Sequence, residues 1–343
     1  MNSATPNNPP SLVERLKALP TSSVWAQRFT VLAPLWTLLA LFIFFGLASS
    51  NFLRPINLRN ILTQVSTLAI FATGMTFVLL LAQIDLSIAA VAALSAMIGA
   101  DMFAKLGVQE PWPILAGIGA ATLLGLISGI GSARFRIPTF MTTLAMSLIA
   151  GGLVTYISKG RVITEVSDLA AFLGSGKIGG DEGLPIIVIV AIVFLALGHI
   201  ILRYTRFGRY VYMTGANKAA ARLAGVNTNA VLVVVMTICG FAAGFAGIIS
   251  MGRLHSAQPD ATESFLIDTI GAVVLGGTSL MGGRGGMLQT VVGLLIYGTL
   301  RNGLDNIPSI DIYLKEFITG VVLLFALLIN TVFAGREQRD QTL

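Results

Sequence analysis

Ten apolar runs restrict what this chain can fold into: Val31–Ala48, Ile61–Leu81, Leu86–Phe103, Pro113–Ser132, Phe140–Ile157, Pro185–Leu202, Val231–Met251, Phe265–Met281, Met287–Leu300 and Tyr313–Phe333. About twenty apolar residues in helical conformation cross the hydrocarbon of a bilayer. Of 343 residues, 55% are hydrophobic and only 11% charged, a surface that a water-soluble domain could not hide. The fold class expected is all-α: a polytopic integral membrane protein with about ten transmembrane helices.

Orientation follows from where the charges fall. An even number of spans puts both termini on one side, and the segments joining spans on the cytoplasmic side carry the excess of Lys and Arg. With the N-terminus inside, the inside segments hold Arg134 and Arg136, then Arg203, Arg206, Arg209, Lys218 and Arg222, then Arg284. The outside segments collect Asp101, Glu110, Asp260, Glu263, Asp305 and Asp311, and over Ser158–Leu184 Glu165, Asp168, Asp181 and Glu182 against Lys159, Arg161 and Lys177, with Arg54 and Arg59 as exceptions. The expected organisation is a cytoplasmic tail over residues 1–30, a membrane domain over 31–334 with a long cytoplasmic loop at 203–229, and a cytoplasmic tail over 335–343. Residues 1–20 are polar and Pro-rich, unlike a cleaved signal, and Leu12–Leu19 suits a short amphipathic surface helix.

Several chemistries are poorly supplied. The net charge of +6 reflects loops between apolar runs, not a basic stripe interleaved with aromatics, so nucleic acid is not an expected partner. The single cysteine, Cys239, excludes an intrachain disulfide, and with His199 and His255 far apart there is no metal-ligand set. Gly174-Ser175-Gly176-Lys177 resembles part of a phosphate-binding loop but has Ala171 and Ile178 where that motif needs Gly and Ser or Thr. It reads as a flexible outside loop, and Gly282-Gly283-Arg284-Gly285-Gly286 reads as a tight interhelical turn. No nucleophile and base set is present, so no catalytic residue, metal or bound cofactor is expected. The pairs Gly125/Gly129 and Gly240/Gly244 have the spacing that lets helices approach closely in lipid.

Two places do point to function. Only Ala82-Gln83-Ile84-Asp85 separates the second and third runs, without Gly or Pro to turn the chain. Asp85 is therefore a candidate for a charge within the membrane at a break in a helix, a feature tolerated where it lines a cavity or is covered by protein. The other place is the stretch from Gly215 to Gly225, which reads as a short helix. Asn217 suits its N-cap and Gly225 a left-handed end, Lys218 and Arg222 share a face, and Ala220, Leu223 and Ala224 form a small apolar face. So short a helix is marginal alone. It either lies on anionic lipid or docks into a cleft on a cytoplasmic partner, where Lys218 and Arg222 would set register against acidic groups.

The stretch Thr205–Val226 resembles the coupling loop of permeases in the ribose, xylose and arabinose branch of binding-protein-dependent ABC importers. Ile84-Asp85-Leu86-Ser87 resembles that branch's Asp-Leu-Ser signature. Gly276-Gly277-Thr278-Ser279-Leu280-Met281-Gly282-Gly283-Arg284-Gly285-Gly286 resembles its late glycine-rich turn, and Arg301-Asn302-Gly303-Leu304 continues the match. Ala82-Gln83 and Ala89 depart from the pattern, standing where the family usually has glycine. The resemblance covers about Asn51 to Asn330. It implies a permease subunit that forms the pathway for a monosaccharide, a ribose-like pentose or related sugar, with a second permease chain, as a homodimer. It also implies ATP bound and hydrolysed on a separate ABC ATPase subunit, delivery by a periplasmic or tethered sugar-binding protein, and a place in the bacterial inner membrane. Gly215, Asn217, Lys218, Ala220, Arg222, Ala224 and Gly225 are the candidate ATPase-coupling residues. Gln83, Asp85, Ser87, Thr278 and Ser279 are the candidate lining of the translocation pathway. The alternative is a secondary transporter or channel for a small polar solute, disfavoured by the scarcity of ionisable residues within the runs.

Overall fold

Proline and short polar side chains fix where the helices begin. The computed structural model describes residues 33–180, 183–307, 311, 313–322 and 324. Both tails, the Leu12–Leu19 stretch and the end of the last apolar run lie outside them. Helix α1 is Ala33–Ala48, α2 Pro55–Leu80, α3 Ile88–Ala104, α4 Trp112–Phe135 and α5 Thr139–Ser158. A short helix α6, Asp168–Ser175, and a two-residue-per-strand hairpin, β1 Lys177–Ile178 with β2 Leu184–Pro185, lead into α7, Ile186–Tyr204. Then come α8 Arg206–Ala216, α9 Lys218–Leu223, α10 Thr228–Leu254, α11 Phe265–Leu275 and α12 Met287–Asp305; residues 313–322 are again helical. Pro55 opens α2, where its missing N–H is harmless. Hydroxyl or amide oxygens of Ser167, Thr205, Asn217 and Asn227 accept from backbone N–H groups three residues on and cap α6, α8, α9 and α10.

Among the described residues, α2, α4, α5, α7 and α10 are long and apolar enough to cross a membrane, while α1, α3 and α11 are shorter apolar helices. The bundle is built on α2 and α10. In its most apolar stretch α2 is 83% buried and α10 67%, against 22% for α5, so the first two form the core and α5 lies on the outside of the bundle. Buried hydroxyls inside α2 are satisfied locally: Thr73 and Thr76 donate to the carbonyls of Ala69 and Ala72. The most extensive helix pairing is that of α10 with α4. A Cβ at Gly125 would stand 2.5 Å from the Met236 carbonyl oxygen, and one at Gly240 2.6 Å from that of Ala121. The expected small-residue spacing is thus used where two backbones touch.

Three boundaries differ from expectation. The run Phe265–Met281 is not one helix; α11 stops at Leu275, and residues 276–286 form an irregular turn in which Gly277, Gly282, Gly283 and Gly285 take positive φ. The segment Gly174–Lys177 is not a flexible loop. Gly174 and Ser175 end α6, and Gly174 is buried where a Cβ would overlap the α10 backbone at Gly252 and Arg253. The stretch read as one helix over Gly215–Gly225 is divided: Gly215 and Ala216 complete α8, and Asn217 breaks the chain before α9.

The bundle has two chemically different ends. At one lie the C-terminus of α4, the N-termini of α5 and α10, the α8–α9 pair and the 276–286 turn, carrying Arg134, Arg136, Arg203, Arg206, Arg209, Lys218, Arg222 and Arg284. At the other, α6 is tied to the end of α10 by a hydrogen bond between Ser175 Oγ and His255 Nε2 at 3.0 Å, and Ile163 bridges Ala257. Glu110 Oε1 accepts from the Leu169 N–H at 2.6 Å, and Arg301 pairs with Asp268 at 3.0 Å.

Candidate translocation and coupling site

Helix α2 ends at Leu80, and the chain needs a sharp change of direction before α3. Ala82 supplies it with φ +55, the left-handed conformation that glycine adopts more readily. Gln83 then holds the turn. Its Nε2 donates to the Ala82 carbonyl at 2.9 Å, and its Oε1 accepts from Thr139 Oγ1, at the start of α5, at 2.7 Å. Thr143, one turn further, accepts from the Leu86 N–H at 3.1 Å. Asp85 is only 2% exposed. Its Oδ1 accepts from the Ser87 N–H at 2.8 Å and from Ser87 Oγ at 2.6 Å, a local turn that aims the chain into α3, and the Cys239 thiol of α10 lies against the same carboxyl. The acid is therefore a covered group at a helix break between spans.

The second break, residues 276–286, meets the first. Gly283 N–H donates to the Leu80 carbonyl at 2.9 Å, and Ser279 N–H to that of Arg284 at 3.0 Å. Thr278, fully buried, faces the Gly286 N–H, and Ser279 Oγ accepts from the Met281 N–H at 3.1 Å. The end of α8 closes on both. Gly215 lies so tightly over the Leu80 carbonyl oxygen that a Cβ would overlap it, with Gly283 N 2.9 Å from the same position. Tyr212 Oη donates to the Gly285 carbonyl at 2.9 Å. Burial pushes the Tyr212 phenol above its usual range, against a smaller lowering by Arg203, so it is protonated and able to donate at neutral pH. Three segments far apart in sequence thus share one joint: the end of α2, the glycine turn and the end of α8.

Helix α9 projects from this joint. Ala221, 1% exposed, anchors it with Val226, whereas Leu223 is 91% exposed and Ala220 and Ala224 are open beside it. Asn217 Oδ1 caps it by accepting from the Ala220 N–H at 2.9 Å, and Gly225 ends it with φ +82. Lys218 and Arg222 do share a face, and that face lines a cavity of about 680 Å³ with Arg136, Thr139 and Asn229. Arg222 Nε donates to Thr228 Oγ1 at 2.9 Å, bracing α9 against α10.

The structure therefore groups Gly215, Asn217, Ala220, Ala224 and Gly225 around α9 and its hinge, and joins Gly215 to the two breaks that hold Gln83, Asp85, Ser87, Thr278 and Ser279. Of these five, Asp85, Ser87 and Thr278 are buried, while Gln83 reaches the cavity. Sequence reasoning missed Tyr212, Thr139, Thr143 and Ala221. A lone Tyr or Thr carries no spacing signal; only its partner in space, here Gly285, Gln83 or Leu86, gives it a role.

The description of the family model that matches residues 57–327 is branched-chain amino acid transport system / permease component. The chain is 39% identical over 302 residues to the ribose import permease protein of Escherichia coli strain K12, covering 86% of this chain and 92% of that protein. It is 37% identical over 299 residues to the ribose import permease protein of Bacillus subtilis strain 168, covering 87% and 92%. It is 31% identical over 303 residues to the fructose import permease protein of Rhizobium meliloti, covering 87% and 84%. No solved structure matches the chain. Long apolar helices, two helix breaks and these matches converge: the chain belongs to the permease-component family of transport systems, a multi-pass membrane protein that transports rather than catalyses.

Proposed function

We propose that this chain is the membrane permease of an ATP-driven importer for a monosaccharide, a ribose-like pentose or a related sugar. Two copies form the pathway, ATP is bound and hydrolysed on a separate ATPase subunit, and a binding protein delivers the sugar at the α6 end. The α8–α9 end faces the cytoplasm, in keeping with its basic residues. The observation that carries this reading is the joint between α8 and both helix breaks, with the apolar tip of α9 exposed beside it. A partner seated on Ala220, Leu223 and Ala224 that moved α9 would move α8, and through Gly215 and Tyr212 would pull on Leu80–Ser87 and residues 276–286 together. Gln83, Asp85, Ser87, Thr278 and Ser279 then lie where the sugar route opens and closes. The described arrangement, with Asp85, Ser87 and Thr278 buried, suits a shut gate.

The proposal that the cargo is a sugar draws support from the import permeases for ribose and fructose among its relatives. Apart from the covered Asp85, the polar groups near the first break, Gln83, Thr139, Thr142, Thr143 and Ser132, are a neutral amide and hydroxyls, which suit a polyol better than a zwitterion. The test is uptake of labelled ribose by vesicles holding permease, ATPase and binding protein. Uptake requiring ATP and all three supports the reading; uptake by the permease alone would make it a secondary carrier.

A further inference from the structure

The cavity beside α9 shares Gln83, Ser132 and Thr139 with the proposed sugar route, but passage of a neutral sugar does not explain the cations in its wall. It lies between the C-terminus of α4, the N-termini of α5 and α10, and the inner face of α9. At about 680 Å³ it falls in the ~300–1,000 Å³ range of small-molecule sites. Arg136, Lys218 and Arg222 all line it, and no carboxylate among the described residues does. None of the three is in an ion pair among the described residues. Two long helices, α5 and α10, begin at its wall with Thr139 and Thr228, so their positive N-terminal ends add to the same field. Burial, and after it the nearby Arg222 guanidinium, holds the Lys218 ammonium below its usual range. An anion here would relieve that repulsion.

The rim is of the opposite character. Ile137 is in the lining and 41% exposed, and beside it Phe135 is 70% and Phe140 48% exposed. These residues link α4 to α5, a helix whose apolar side chains face outward along its length. A cationic pocket opening onto an apolar, lipid-side rim fits an amphiphile with an anionic head. Basic pockets between spanning helices at the membrane surface bind phospholipid headgroups in just this way.

We propose that this cavity holds the phosphate headgroup of an anionic phospholipid from the adjoining leaflet. The phosphate sits among Arg136, Lys218 and Arg222, and the acyl chains run along Phe135, Ile137 and Phe140. The lipid then props the inner face of α9 while its outer face, with Leu223, stays open.

The experiment uses the full-length permease in phosphatidylcholine nanodiscs, alone and bound to its ATPase, with phosphatidylglycerol titrated in and the melting midpoint and bound lipid measured. Phosphatidylglycerol should bind and raise the midpoint saturably in both forms. Arg136→Gln and Lys218→Gln should each weaken that binding by about tenfold, the worth of one charge-assisted hydrogen bond. Arg134→Gln, the same charge change two residues away and outside the lining, should leave it unaltered. Equal binding by Arg136→Gln, Lys218→Gln and Arg134→Gln would reduce the effect to bulk surface charge and overturn the site. A midpoint shift by millimolar inorganic phosphate as large as that by the lipid would replace the lipid with a soluble anion. Loss of bound lipid on adding the ATPase would give the three cations to that protein instead.

Discussion

Ala82 stands in a conformation that costs an L-residue about 1–2 kcal/mol. Glycine adopts it freely but loses more entropy on folding, so Ala82→Gly should stabilise the permease by roughly 0.5–1 kcal/mol. The check is a higher melting midpoint in detergent; no change or a lower one would mean that the turn is not under strain. Gly240 is the opposite case. Its place against the Ala121 carbonyl leaves no room for a side chain, so Gly240→Leu should cost on the order of 3 kcal/mol by forcing α4 and α10 apart. Loss of folded protein after extraction would register it. If the variant is recovered at normal yield and midpoint, the two backbones are not in contact.

The coupling geometry belongs to whole elements. Tyr212→Phe removes one hydrogen bond between α8 and the glycine turn, worth about 1 kcal/mol, and leaves the packing of the ring. Transport per ATP should fall while ATP hydrolysis persists, because the lever loosens without releasing the ATPase. An unchanged ratio would remove Tyr212 from the transmission route. Ala220→Trp acts one step earlier, on the exposed side of α9. It should abolish ATPase docking and transport together while leaving insertion normal, since the residue lies outside every span. Assembly and transport at normal rates would mean that α9 docks by another face. Only one of these two elements was visible in the sequence. Asn217 and Gly225 marked the ends of α9, because caps are local chemistry. Helix α8 was hidden, since its polar, aromatic stretch Arg206–Ala216 lacks an apolar run and is held by contacts with Leu80, Gly283 and Gly285.

At the scale of the molecule, α7 with α8 puts α6 and α9 at opposite ends of the bundle. Reporter fusions at Ser175 and Lys218 should therefore score on opposite sides of the membrane, with Lys218 cytoplasmic; the same side for both would break the topology. Composition and run length determined that this chain lives in a bilayer as a bundle of helices, because burying hydrocarbon and satisfying backbone groups leave few alternatives there. The charge pattern suggested which end faces the cytoplasm, and the Asp85 and glycine-turn motifs marked where the helices break. Which runs form the core was not readable: α2 and α5 are both apolar enough to span, and lipid and protein interior select the same side chains. Nor was it readable that both breaks close on Gly215, that Lys218 and Arg222 line one cavity with Arg136, or that Thr139 latches Gln83. Those contacts join residues tens to hundreds of positions apart, and a single hydroxyl, carbonyl or missing Cβ acquires its role only when packing brings its partner within reach.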